Sequence, residues 1–325
     1  MAQRTLAESL NDALDLALAA DDRVIVFGED VGRSGGVFRV TDGLQEVHGA
    51  RRVVDAPVAE SGIVGTAFGM AIAGLRPVVE IQFLGFSYPA FDQVISHVAR
   101  IRNRSDHRFT APMVIRIPYG GGIGAAEHHS ESSEAIYAHT PGIKVVVPAT
   151  PYAGKGLMLA AIEDPDPVVF LEPKRVYRAI REEVPDHAYT LPIGEAAIVA
   201  EGSDVTLVSY GAMLREARRA ADHLAAEGVS AEVIDVRTLS PLDRDTIVSS
   251  VARTGRAVVA IEAPRTASLA SEIAAEISER ALYSLLAPVE RVTGMDVVVP
   301  LKRTEHYHLP DAARIVVAAR RTLEA

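Results

Sequence analysis

At 325 residues, 48% hydrophobic and 23% charged, the chain has a soluble globular composition with enough apolar mass for two cores. Its 33 Lys and Arg against 43 Asp and Glu give a formal charge of −10, which argues against nucleic acid or an anionic membrane as the main partner. There is no cysteine, so disulfides, thiolate catalysis and cysteine-based zinc sites are excluded, and a cytoplasmic setting is the expectation.

Near the start, Leu6, Leu10, Ala13, Leu14, Leu16 and Ala17 form an amphipathic pattern with no signal-peptide h-region before it. Short β-branched runs then alternate with longer helical patterns. Strands are predicted at 24–27, 53–55, 78–83, 114–117, 145–147 and 168–171. Several are continuously apolar, as strands covered on both faces are. The longest apolar stretch, 63–75, falls short of the ~20 residues a bilayer span needs, and Gly65, Gly69 and Gly74 interrupt it. Phe91, Val94, Ile95, Val98 and Ile101 recur at helical spacing, with Arg100, Arg102 and Arg104 on other faces. A further helix is predicted over 152–162. This alternation predicts an α/β domain on a mainly parallel sheet. Residues 182–194, rich in charge, proline and glycine, read as a linker. The predicted domains are therefore 1–185 and 195–325. The second is also α/β, with strands at 205–208, 232–236, 258–261 and 289–292. Its helices are placed at 213–226, at 271–282 and from Pro310, since proline suits a first helical position.

Glu60 is the first candidate for chemistry. It follows the strand at 53–55 in Val58-Ala59-Glu60-Ser61-Gly62, just before a Gly/Ala-rich helical segment. Two readings stay open. A carboxylate at a helix start is favoured by the helix dipole, by ~0.3–1 kcal/mol. A carboxylate walled by small apolar residues can also exchange protons with a heterocyclic cofactor. Spacing alone favours the first. The loop Tyr119-Gly120-Gly121-Gly122-Ile123-Gly124 lacks the Lys-Ser/Thr of a P-loop and the Gly spacing of a dinucleotide site, and reads as a flexible active-site or interface loop. Glu127-His128-His129-Ser130-Glu131 lacks the i, i+4 spacing of a two-histidine metal site. One of its histidines suits acid/base work near neutral pH, or a surface turn. Ser130 has no nucleophile elbow around it. Glu305-His306-Tyr307-His308 reads as a solvated loop. Asp164-Pro165-Asp166 reads as a turn whose oxygens are able to hold a cation.

Taken in order, these segments resemble the β subunit of the E1 component of a 2-oxoacid dehydrogenase complex. The matching stretches are Phe27-Gly28-Glu29-Asp30-Val31, Gly35-Gly36-Val37-Phe38-Arg39, Pro57-Val58-Ala59-Glu60-Ser61-Gly62 and Glu80-Ile81-Gln82-Phe83. They continue through Phe91-Asp92-Gln93, His129-Ser130, Pro141-Gly142-Ile143-Lys144-Val145-Val146 and Phe170-Leu171-Glu172-Pro173. In the second domain, Val233-Ile234-Asp235-Val236-Arg237-Thr238 and Ala287-Pro288-Val289 also match. The resemblance covers nearly the whole chain and turns the reading of Glu60 toward chemistry.

The resemblance implies a transketolase-like pyrimidine-binding domain followed by a transketolase C-terminal domain. It implies an acyl-transferring 2-oxoacid dehydrogenase that uses thiamine diphosphate with Mg2+ and acts on pyruvate or a branched-chain 2-oxoacid. The expected assembly is an α2β2 heterotetramer with the E1 α subunit, serving a lipoyl acyltransferase E2, with no nucleic acid or membrane partner. In that family the α subunit holds the diphosphate and Mg2+ through a Gly-Asp-Gly…Asn motif. This chain has no Gly-Asp-Gly, and its only asparagines are Asn11 and Asn103, as suits a β subunit. Glu60 corresponds to the glutamate that hydrogen-bonds N1′ of the cofactor's pyrimidine. Val58, Gln82 and Phe86 correspond to cofactor-binding positions; some branched-chain relatives carry tyrosine where Phe86 stands. His129 corresponds to the histidine that handles protons as acyl passes to the lipoyl arm. A monovalent cation such as K+ is bound in some relatives by loops matching 111–114 and 161–166, which here include Asp164 and Asp166. The rivals are the acetoin-cleaving relative, a scaffold that binds E2 and an α subunit without chemistry, and a cofactor-free homodimeric binding protein.

Overall fold

The computed structural model describes residues 1–325. Two compact units divide it: Met1–Tyr119 with Ile136–Ile193, and Gly120–Ala135 with Gly194–Ala325. The sequence places a break between 185 and 195. The compact units also separate at 119 and 135, because the glycine loop and the residues after it leave the first unit and pack within the second.

The first unit contains β1 (Ala2–Arg4), β2 (Val24–Gly28), β3 (Val53–Asp55), β4 (Arg76–Glu80), β5 (Val114–Tyr119), β6 (Lys144–Val146), β7 (Val168–Pro173) and β8 (Glu182–Val184). Six of them form a parallel array in the order β6-β7-β5-β4-β2-β3. β5 and β7 are buried along their whole length, which explains the apolar run 168–171 of β7, while β5 and β7 also carry Arg116 and Glu172 inside the core. β8 lies inside the stretch read as a linker. Its main chain pairs antiparallel with β1, Ala2 opposite Val184, so non-local pairing overrides a locally irregular sequence. Helix α1 (Leu6–Ala20) opens with a capping box in which Thr5 Oγ1 accepts the Glu8 N–H and Glu8 accepts the Thr5 N–H. Helix α2 (Glu60–Ile72) follows β3, and α3 (Pro151–Glu163) is capped by Thr150 with Pro151 in its first turn. The amphipathic stretch from Phe91 is not one regular helix. Its middle, Val94–Val98, widens into a π turn.

One polar network lies inside this core. Arg116 on β5 is fully buried and bonds through Nη1 to Glu80 Oε2 at 2.8 Å. Its Nε and Nη2 reach the two oxygens of Glu172 on β7 at 2.7 and 3.0 Å, and Tyr177 Oη donates to Glu172 as well. Burial pushes the Glu80 carboxyl above the usual range.

The second unit contains β9 (Ala197–Ala200), β10 (Val205–Ser209), β11 (Ala231–Asp235), β12 (Thr238–Ser240), β13 (Ala257–Pro264) and β14 (Glu290–Gly294). Its sheet runs β14-β13-β10-β11-β9, parallel except for β9. Helix α4 (Met213–Ala226), predicted at these bounds, buries Met213, Leu214, Ala217, Ala220 and Leu224 on one face and exposes Arg215, Arg218 and Arg219. Helices α5 (Arg244–Thr254) and α6 (Leu269–Ala281) follow. The last helix, α7 (Ala312–Leu323), starts two residues after Pro310, because Asp311 caps it by accepting the Arg314 N–H at 2.9 Å. No helix is long and apolar enough to cross a membrane.

Candidate active site

In the first unit's sheet, β3 lies on one side of β2 and β4 on the other, so the chain reverses its winding between β2 and β4. Ligands of open α/β sheets bind beyond the carboxyl ends of the strands at such a point. Glu29 and Asp30 follow β2 there, and Ile81 and Gln82 follow β4. Gly28 closes the end of β2. A Cβ on it would stand 2.8 Å from the Glu80 carbonyl oxygen, so glycine is what lets the two strand ends approach.

Glu60 enters from β3. Ala59 takes an extended conformation, offers no side-chain cap, and leaves Glu60 as the acid in the first turn of α2. Glu60 is half-buried. Its neighbour Glu29 is 5% exposed. Burial raises the Glu29 carboxyl above the usual range, the Glu60 charge adds to the rise, and the Ala59 main-chain N–H bonds it and opposes. Glu29 Oε1 is buried with no hydrogen-bond partner. An orphaned buried oxygen beside a half-exposed carboxylate is an acid pair with capacity for an additional donor. In the sequence Glu29 stands only within the matching stretch Phe27-Gly28-Glu29-Asp30-Val31. The signal that finds it is an acid directly after the first strand of a doubly wound sheet.

The other predicted residues differ in their surroundings. Gln82 is half-buried, with Nε2 3.4 Å from Asp30 Oδ2. Phe86 is half-buried and meets the buried Phe83 ring edge-on at 5.2 Å, and Phe83 meets Phe38 at 5.5 Å. Val58, in the turn before Glu60, is 81% exposed. The loop after β2 is held in place by Asp55, which accepts the Gly32 N–H at 2.6 Å, and by Asn11, which donates to the Val40 carbonyl at 2.8 Å.

His129 belongs to the second unit. It ends a short 3-10 turn, Glu127–His129, and is half-buried, while His128 is exposed. The glycine loop before it is held by carboxylates. Gly121 N–H donates to Glu262, and Gly122 and Gly124 N–H donate to Glu305 at 2.7 and 3.1 Å. The segment 305–308 is therefore not a solvated loop. It is a helical turn with Glu305 and His308 buried, because the amides of a distant loop supply the donors an isolated acid would seek in water.

At the candidate cation turn, Asp164 pairs with Lys144 at 2.5 Å and Asp166 with Arg102 at 2.6 Å, while Arg76 Nη1 donates to the Ile162 carbonyl at 2.6 Å. Both carboxylates are spent on ion pairs, and no cluster of three acidic or histidine side chains forms there.

Comparison with known proteins gives the class first. Residues 2–179 match the transketolase pyrimidine binding domain and residues 194–315 the transketolase C-terminal domain. A solved structure described as a split gene transketolase, inactive beta4 tetramer, superposes with a TM-score of 0.79 at 25% identity, covering 99% of each chain. The chain is also 52% identical to the pyruvate dehydrogenase E1 component subunit beta of Acholeplasma laidlawii, covering 100% of this chain and 99% of that one. It is 51% identical to the protein of that name from Bacillus subtilis, covering 100% of each. The chain belongs to the E1 β-subunit family of 2-oxoacid dehydrogenases.

Proposed function

We propose that this chain is the β half of an α2β2 E1 enzyme that oxidatively decarboxylates a 2-oxoacid and passes the acyl group to the lipoyl arm of an E2 acyltransferase. The observation that carries the reading is the acid pair Glu60 and Glu29 at the β2/β4 crevice, in a chain without a Gly-Asp-Gly…Asn motif. Thiamine diphosphate, when bound, supplies a nucleophilic carbon for the 2-oxo group and an electron sink after CO2 leaves. Glu60 would hold a proton on N1′ of its pyrimidine, and Glu29, with Oε1 unsatisfied, would support that charge state. Gln82 would orient the ring through its amide. Phe86 presents an apolar ring to it, and Val58, exposed in this chain, would gain cover from cofactor and partner. Diphosphate and Mg2+ fall to the α chain. The names of the relatives make pyruvate the first substrate to test, and the cytoplasm is the proposed location.

Reconstitution with an α chain carrying the phosphate motif tests the division of labour. By calorimetry, thiamine diphosphate should bind tightly only when both chains are present, and the pair should then turn over one of a panel of 2-oxoacids. Tight binding by this chain alone would overturn the split-site reading.

His129 is assigned to proton handling during acyl transfer, since a half-buried imidazole can both give and take a proton. In the assembled enzyme, His129→Ala should depress reductive acylation of a lipoyl domain more than decarboxylation measured with an artificial electron acceptor. Equal losses in the two assays would refute the assignment.

A further inference from the structure

The second unit has a reversal point of its own, between β10 and β13, where a doubly wound sheet ordinarily leaves a ligand crevice. Tyr210 follows β10 and Glu262 lies near the end of β13. Both are engaged by the chain's own residues 120–135. Tyr210 Oη donates to Glu134 Oε1 at 2.6 Å. Gly121 N–H donates to Glu262 Oε1, and Ser132 Oγ lies 3.5 Å from the same oxygen. Glu305 takes the Gly122 and Gly124 amides, one with each oxygen. Glu134, Glu262 and Glu305 are all buried, and burial pushes the Glu134 carboxyl up to about 7.

The backbone explains the glycines. Gly120, Gly122 and Gly124 take left-handed φ of 84°, 88° and 69°, a geometry that turns successive N–H groups toward one anion. A Cβ on Gly120 would stand 2.8 Å from Glu262 Oε1, and one on Gly121 3.0 Å from Glu305 Oε1. The loop is thus an anion nest whose anions are two carboxylates of the same chain. It is closed at its base by Gly120 N–H donating to the Glu131 carbonyl at 2.9 Å, and His129 N–H donates back to Ala126 at 3.0 Å. Amide bonds to a carboxylate are roughly twice as strong as neutral ones. They oppose the large conformational freedom that a glycine-rich segment has to lose.

We propose that Glu262 and Glu305 are positioning residues, which fix the loop 120–131 and thereby aim His129 during acyl transfer. The proposal rests on the role of His129 given above. It assigns the second domain a part in catalysis, since the crevice of its sheet holds the loop where other sheets of this kind hold a ligand.

The test uses the assembled enzyme with Glu305→Ala and Glu305→Gln, following hydrogen exchange of the loop amides together with the ratio of reductive acylation to decarboxylation. In Glu305→Ala, exchange of the Gly121–Gly124 amides should rise, and the ratio should fall by about 10-fold or more, the scale expected for a misplaced group. Glu305→Gln should recover part of both, because its amide oxygen still accepts. Gly122→Ala keeps both carboxylates and strains the left-handed φ, so it should shift the same ratio even if Glu305→Ala fails to assemble. Unchanged loop exchange in Glu305→Ala overturns the clamp. A loosened loop with a wild-type ratio, in an enzyme whose ratio does respond to His129→Ala, overturns the positioning role. If His129→Ala leaves the ratio unchanged, the reading of His129 itself falls, and the aiming role falls with it.

Discussion

Replacing Glu60 by glutamine in the enzyme assembled with its α partner should lower decarboxylation by roughly 10²–10⁴-fold, the range a positioned proton-transfer group supplies. The substitution separates the two physical readings of this residue. A carboxylate that serves only the start of α2 is worth ~0.3–1 kcal/mol of helix stability and nothing in rate. Glutamine keeps the length and hydrogen-bonding capacity of the side chain but can neither carry the negative charge nor take up a proton. Assembly and melting temperature should therefore stay close to wild type while turnover collapses. Near-wild-type turnover would return Glu60 to its structural role and remove the main support for the site. Because the Glu60 charge helps to raise the Glu29 carboxyl, the same variant should let Glu29 titrate lower.

Arg116→Met should cost the protein about 3–5 kcal/mol of stability, the range for breaking a buried ion pair on one side. The substitution leaves Glu80 and Glu172 buried without their shared guanidinium, and Tyr177 is the only other side chain bonded to Glu172 in that network. The penalty has a pH signature. A buried acid that has lost its cation has its folded-state pKa raised above the unfolded value. The variant's deficit should grow as pH rises through that window and shrink in acid, where the carboxyls are protonated in both states. Denaturant midpoints for wild type and variant between pH 5 and 8 give the measurement. A deficit under ~1 kcal/mol at neutral pH would show that water or rearranged neighbours replace the guanidinium. Glu80 ends β4 two residues before Gln82, so the network lies close along the chain to the crevice.

The architecture was legible because its physics is local and repetitive. A doubly covered strand such as β7 is built on an apolar run, Val168 to Leu171, and amphipathic helices such as α4 need the 3.6-residue period. Where the sequence misled, partners lay far along the chain. β8 looks like a linker until Ala2–Arg4 pairs with it, and Glu305 looks solvated until the amides of Gly122 and Gly124 reach it.

The sequence by itself determined the alternation of strands and helices, the acid at the start of α2, the absence of a phosphate-binding motif and the ordered likeness to one family. Each of these is carried by residue type and spacing along the chain. Only the tertiary structure decided that Glu29 stands beside Glu60 with an unsatisfied oxygen, that Arg116 unites two buried acids, and that a glycine loop is clamped by carboxylates well over a hundred residues away. Desolvation and hydrogen-bond satisfaction depend on which groups meet in space, and strand order and winding, not spacing, settle which groups those are.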